Sequence, residues 1–413
     1  MAFSRALVGG IVFAVAVAAF SRIPLLPEIG RDLSLTAGEI GLLTTAFGLG
    51  RLLMDLPAGR LAGAVPPATA LASAGAGLAA SSALLAVAGS MFEALVASAL
   101  IGCASALTNT TGMYSFATAT AAERRGASMA LYTGALMSGQ MVGPALGGAI
   151  GSLAGWRPAI AVAAAIGVAV AAACLLIRWA APGAEVEPRS PTADAGGEVV
   201  AHGTAPTRSE LIALAAAPFA AFFGMAGLIQ TLVPLIGDSE LDLSPSTIGL
   251  AVGIGAAARF ATAWVTGVSS DRLSRRVILV PSLLLMALGA GVLALPPTTA
   301  GWVAAIVLIG LGSSAVSVAA AALADRVPRE RLGHELGLFR LLGDLGLLIG
   351  PAVAGFLYQK SGAGLPGGAS AAVFLAAAAA AALWVREPEP RAGPAAAAAR
   401  EREESASTEL LPE

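Results

Sequence analysis

The chain contains the same design twice. At an offset of 207 residues, Gly139, Gly143, Pro144 and Gly148 of GALMSGQMVGPALGG recur as Gly346, Gly350, Pro351 and Gly355 of GLLIGPAVAG. The approach to each stretch recurs too: Glu123, Arg124 and Gly126 match Glu330, Arg331 and Gly333. A second register, at 208, equates Leu35, Ile40, Gly41, Leu42, Arg51 and Gly59 with Leu243, Ile248, Gly249, Leu250, Arg259 and Gly267. Two matches at nearly one spacing mark an internal repeat of about half the chain, so its fold is built twice over. The runs of small residues mark helix faces that another backbone can approach closely.

The repeated material is apolar. Of 413 residues, 57% are hydrophobic and only 12% charged, about half the charge of a soluble domain. Apolar runs of about 20 residues follow one another, each long enough to cross a hydrocarbon core of ~30 Å as a helix. Twelve spans are expected, at roughly 6–27, 38–59, 68–88, 92–114, 127–150, 157–179, 210–235, 245–268, 276–295, 300–323, 334–357 and 369–386. The run Ala6–Phe20 has the flanks of a secretory signal, but the repeat gives it a counterpart before Leu235, so it reads as a retained span. Residues 181–209 are rich in Pro, Gly and polar residues and read as a cytoplasmic linker between bundles at 1–180 and 210–386. The charged, Ala-rich tail 387–413 reads as a cytoplasmic segment without a stable fold. The fold class expected is an all-α integral membrane protein, with twelve transmembrane helices in two pseudo-symmetric six-helix bundles and a pathway between them. Cys103 and Cys174 fall within apolar runs and read as small core residues, not as a disulfide.

Arginine placement sets the expected orientation. With both ends cytoplasmic, that side holds Arg5, Arg60, Arg124, Arg125, Arg178, Arg189, Arg208, Arg272, Arg275, Arg276, Arg326, Arg329 and Arg331. The other side holds Arg22, Arg31, Arg157 and Lys360. Lys360 is the one lysine in the chain, and with abundant Ala and Gly this composition points to a GC-rich bacterial genome. The cytoplasmic (inner) membrane is the expected location.

Two further motifs carry a family resemblance. Gly267-x-x-x-Asp271-Arg272-x-x-Arg275-Arg276 follows the eighth span, and Gly139-x-x-x-Gly143-Pro144-x-x-Gly147-Gly148 lies on the fifth. The first resembles the loop motif of the major facilitator superfamily, with Ser274 where a Gly is usual. The second resembles the motif of that family's twelve-helix drug/proton antiporter branch. The likeness covers about the first 390 residues and implies alternating access without a cofactor. It also implies that the loop motif stabilises the outward-facing state. Two positions depart from the pattern: the first-half loop reads Gly59-Arg60-Leu61-Ala62-Gly63-Ala64-Val65-Pro66-Pro67, without its acid or basic pair. Ser98 stands on the fourth span where proton-coupled relatives often carry an arginine.

Charges within spans are the best pointers to mechanism, because each costs about 2.5–3.5 kcal/mol at the bilayer centre on insertion scales. Arg51 and Asp55 lie on the second span, Arg259 on the eighth, Arg340 and Asp344 on the eleventh. In the family's fold the second and eleventh spans face each other, as do the fifth and eighth. At ~1.5 Å per residue, Asp55 lies as deep as Arg340, and Arg51 as deep as Asp344. Reciprocal pairs Arg51–Asp344 and Asp55–Arg340 are therefore expected to close the cytoplasmic side when the transporter faces outward. The alternative, each Arg pairing with the Asp on its own helix, runs in the weaker base-before-acid order. A carboxylate released from its arginine could then take a proton, so these four residues are the candidates for gating and proton coupling. Arg259 faces Tyr132, Thr133, Ser138 and Gln140 but no acid. It meets an anionic substrate group, snorkels toward the cytoplasm along its own stem, or bonds to helix carbonyls. Asn109, Thr110, Gln140, Gln230 and Thr231 complete the candidate cavity, or else bond helix to helix. Gly143-Pro144 and Gly350-Pro351 serve as packing kinks or as rocking points.

No clustered His, Cys or carboxylate constellation marks an enzyme or a metal centre, and no phosphate cradle appears. The function expected is secondary transport of a small organic molecule, by proton-coupled efflux of a drug, antibiotic or metabolite. Uptake or exchange of an organic anion is one alternative, and a non-transporting membrane sensor or scaffold another. The partners expected are a small-molecule substrate, protons and the lipid bilayer, with no nucleic acid and a monomeric state.

Overall fold

The computed structural model of the chain describes residues 5–118, 125–180, 207–269, 274–324, 327 and 329–385. Most of the 181–209 linker, the tail from 386, and Asp271 and Arg272 of the loop motif lie outside the described residues. Those described are helical almost throughout, with no strand among them.

The first unit joins α1 (Arg5–Phe20) to α2 (Leu26–Asp32) through a 3-10 turn at Ile23–Leu25. Single helices follow: α3 (Ala37–Ala64), α4 (Pro67–Val87), α5 (Met91–Thr118), α6 (Arg125–Ala154) and α7 (Trp156–Ala180). The second half opens with α8 (Arg208–Gly224), a π-helical stretch Met225–Leu232 and α9 (Val233–Ser239). It continues with α10 (Pro245–Ser269), α11 (Arg275–Leu293), α12 (Thr299–Gly312), α13 (Ala315–Ala324), α14 (Arg329–Ser361) and α15 (Gly364–Trp384). Among the described residues, eleven units are long and apolar enough to cross a membrane. The twelfth, α6, has the length at 30 residues, but its glycines, Ser138 and Gln140 dilute its apolar character.

The repeat extends into the turns. Thr36 caps α3, its hydroxyl accepting from Glu39 N (3.4 Å) while Glu39 Oε2 accepts from Thr36 N (2.7 Å), a reciprocal box. Ser244, 208 residues on, caps α10 by accepting from Thr247 N (3.4 Å). Four described residues have left-handed backbone: Ser34 (φ 55), Gly155 (φ 87), Asp242 (φ 50) and Gly362 (φ 66). They form two repeat pairs, at offsets of 208 and 207.

Each half has its own core. Phe47, Leu71, Leu78, Phe116 and Ile160 belong to the first; Leu283, Met286, Trp302, Ile309 and Phe374 belong to the second. The halves exchange one buried residue each: Ile23 packs in the second core and Leu235 in the first. Outward, the surface is apolar too, with Leu153, Trp179, Leu56 and Phe92 all well exposed. Such a surface suits hydrocarbon rather than water. Both cysteines are free; Cys174 is buried, and the Cys103 thiol donates to Gly50 O (3.2 Å).

Glycines set the spacing of the central helices. A Cβ at Gly139, Gly143 or Gly147 of α6 would fall within 2.6 Å of the Phe13, Val17 or Ser21 carbonyl oxygen of α1 and the turn after it. The equivalents Gly346 and Gly350 of α14 meet the Phe219 and Phe223 carbonyls of α8. Between halves, Gly148 faces Pro245 and Gly249 faces Pro144, while Gly355 faces Ala37 and Gly41 faces Pro351. The two prolines therefore lie within unbroken helices at the tightest points of two symmetric seams, α6–α10 and α3–α14. That favours the packing reading of these positions.

Candidate functional site

Both seams are closed at the end away from the arginine-rich termini. There Thr45 Oγ1 donates to Leu348 O (2.9 Å) across one seam, and Ser246 N donates to Ser152 Oγ (2.9 Å) across the other. Arg31 pairs with Asp238 between the halves. These two occupy the same position of the repeat, 207 apart, so the contact sits on the pseudo-two-fold axis.

Deeper in the α3–α14 seam, Arg340 Nη2 donates to Asp55 Oδ1 at 3.2 Å. Arg340 is half-exposed, whereas Asp55 is largely covered and its Oδ2 is buried without a partner. The reciprocal contact is not formed. Arg51 Nη1 donates instead to Ser105 Oγ (3.1 Å) on α5, and Asp344 has no hydrogen bond or ion pair among the described residues. The reason is packing: Gly50 lies against the Ala99 carbonyl and Gly102 against that of Phe47. α3 and α5 are thus close enough for Arg51 to reach sideways to Ser105 before it reaches α14. Asp55–Arg340 also coexists with closed far-end seams, so it is not reserved for an outward-facing state as the sequence reading had it.

Between the halves lies a pocket of about 360 Å³, part of it open space. Phe20 and Ile23 come from the first unit, Gln140 from α6, and Met225, Ile229 and Gln230 from the π-helical stretch. Val252, Gly255, Ala256 and Arg259 come from α10, Ile306 and Gly310 from α12. The walls are apolar except for Arg259, Gln140 and Gln230. Arg259 donates from Nη2 to Gln140 Oε1, while its Nε is buried with no partner.

Other expected cavity residues are used elsewhere. Thr231 turns its hydroxyl back to Ala226 O (3.1 Å), filling a carbonyl of the π-helical stretch. Asn109 and Thr110 stand half-buried on α5, outside the pocket lining; the Asn109 backbone carbonyl accepts from Tyr132 Oη (3.0 Å). Gly267 and Arg275–Arg276 flank the undescribed Asp271–Arg272, at the end of α10 and the start of α11.

The family model of the Major Facilitator Superfamily matches residues 8–239 and 214–411. The chain belongs to this superfamily. Solved structures agree on the superfamily fold. A bacterial homolog of the human lysosomal transporter Spinster, in an inward-facing and occupied conformation, superposes with TM-score 0.73, at 17% identity, over 91% of this chain and 95% of that one. A peptide transporter POT in complex with sulfate gives 0.72, at 14% identity, over 94% and 96%. In sequence, the chain is 28% identical over 396 residues, 92% of each protein, to the transcription regulatory protein OpdE of Pseudomonas aeruginosa. It is 31% identical over 116 residues, 28% of this chain and 29% of the other, to the multi-drug resistance efflux pump PmrA of Streptococcus pneumoniae.

Two features of this superfamily member escaped the sequence. Arg22, counted among the outer-side charges, is 2% exposed. Its guanidinium lies 4.5 Å from the centre of the Phe47 ring, with Nε and Nη1 unpartnered. The signal was the length of the unit, which runs on to Asp32 and leaves Arg22 about 15 Å from its end. Arg31–Asp238 was legible in the repeat register, but only to a reader asking which residues fall on the symmetry axis.

Proposed function

We propose that the chain is a secondary active transporter that moves a small organic molecule across the cytoplasmic membrane by alternating access. The observation that carries this reading is the pocket lined from both halves and sealed at one end by glycine seams and the Arg31–Asp238 pair. With the arginine-rich end cytoplasmic, the sealed end is the outer one. The two halves would rock about the seams to expose the pocket to either side in turn. We propose export as the direction, supported by the α6 motif and by the partial likeness to a multi-drug efflux pump. Protons are the proposed driving ion, carried by Asp344, which pairs with no arginine among the described residues, and by Asp55 once Arg340 moves away. In proteoliposomes under an imposed pH gradient, Asp344→Asn is expected to abolish uphill transport while leaving substrate exchange intact. Uphill transport at the wild-type rate would remove the coupling role.

One observation favours a second reading, a non-transporting membrane sensor: the relative matching over 92% of its length is named a transcription regulatory protein. Substrate flux in liposomes holding only the purified protein separates the two, since a sensor shows none.

A further inference from the structure

The repeat supplies an internal control for Arg259. At the offset of 208 its counterpart is Arg51, so each half carries an arginine at the same depth of its seam helix. In the first half two acids accompany it: Asp55 one turn along α3, and Asp344 across the seam on α14. At the same offsets the second half has Ala263 in place of Asp55 and Met137 in place of Asp344. The second half has the arginine without either acid. Arg259 is left with the neutral amide oxygen of Gln140, a buried and unpartnered Nε, and a pocket lining without a carboxylate. An amide oxygen satisfies one donor but balances no charge, and an unbalanced cation at this depth is costly. Arg22, which also has unpartnered buried donors, has the Phe47 ring face against it and does not line the pocket.

We infer that the missing counter-ion is the substrate's: the pocket takes a small monoanion with an apolar body, a monocarboxylate. This rests on the transport reading above. One guanidinium matches one negative charge, and its planar fork suits a carboxylate bound side-on through Nε and a terminal nitrogen. Gln140 and Gln230 offer amide donors beside it. Phe20, Ile229 and Ile306 wall the rest.

The test uses the full-length protein purified in detergent. Thermal shifts are read with benzoate, phenylacetate and 3-phenylpropionate, each against its amide and the corresponding amine. At least one acid is expected to raise Tm saturably, while its amide and amine do not. Arg259→Gln should weaken that binding roughly 10–100-fold, the worth of a charged hydrogen bond. Ala263→Asp, which copies Asp55 of the first half, should abolish the shift without lowering the Tm of the free protein, and it decides the matter if Arg259→Gln fails to fold. The inference is overturned if no acid binds, if an amide or amine binds as well as its acid, or if the acid's shift survives in Ala263→Asp. Flux in liposomes separates this from the reading beneath it. An acid that binds but is not carried leaves the anion site standing and removes transport. A neutral or cationic compound that is carried while no acid binds does the reverse.

Discussion

Arg51 and Arg340 show how far side-chain geometry follows from spacing. The depth count put Asp55 opposite Arg340, and the two lie 3.2 Å apart. It also put Asp344 opposite Arg51, which bonds to Ser105 instead. The difference lies in a third helix: the α3–α5 approach at Gly50 and Gly102 depends on tertiary packing, which a two-helix depth count does not contain. With Arg340 half-exposed, its pair with Asp55 should add no more than about 1 kcal/mol to stability. Asp55→Arg or Arg340→Asp alone is therefore expected to cut transport severely with little loss of Tm. The double exchange Asp55→Arg/Arg340→Asp should recover much of the rate; a swap as inactive as either single variant would deny the pair a part in the cycle.

Helix by helix, the small-residue pattern was the most legible feature, since GxxxG and Gly-Pro runs name the close faces before any coordinates do. What the pattern left open was which helix each face meets. The structure answers with two partners for each of α6 and α14, one within its half and one across the seam. Gly41 and Gly59 lie on one helix, α3, and give a matched comparison. A Cβ at Gly41 would strike the Pro351 carbonyl, while one at Gly59 meets nothing within 4 Å. Gly41→Ala is expected to destabilise by about 1–3 kcal/mol through overpacking and to slow transport. Gly59→Ala should leave both nearly unchanged, which thermal unfolding in detergent and liposome flux would measure side by side.

At the scale of the molecule, the repeat alone was enough to foresee two bundles, and the matching left-handed pairs Ser34/Asp242 and Gly155/Gly362 carry it down to single turns. The state of the molecule was not legible, because opening and closing leave the sequence unchanged and alter only which surfaces touch. Here the far end is shut and Arg31 meets Asp238 on the axis. Replacing both with cysteine, in a chain with Cys103 and Cys174 changed to serine, is expected to trap that closure under mild oxidation. Flux should then stop, and a reductant should restore it; flux that continues with the bridge formed would rule out movement at this end.

The seams share a backbone design but not a charge pattern. One holds Arg51, Asp55, Arg340 and Asp344; its mirror holds a lone arginine facing an amide. A molecule jointed this way has one edge held by opposite charges and one edge where a single positive charge meets a neutral amide. Salt and acid would loosen the first and scarcely affect the second, so the halves should swing apart askew, like a door with one stiff hinge.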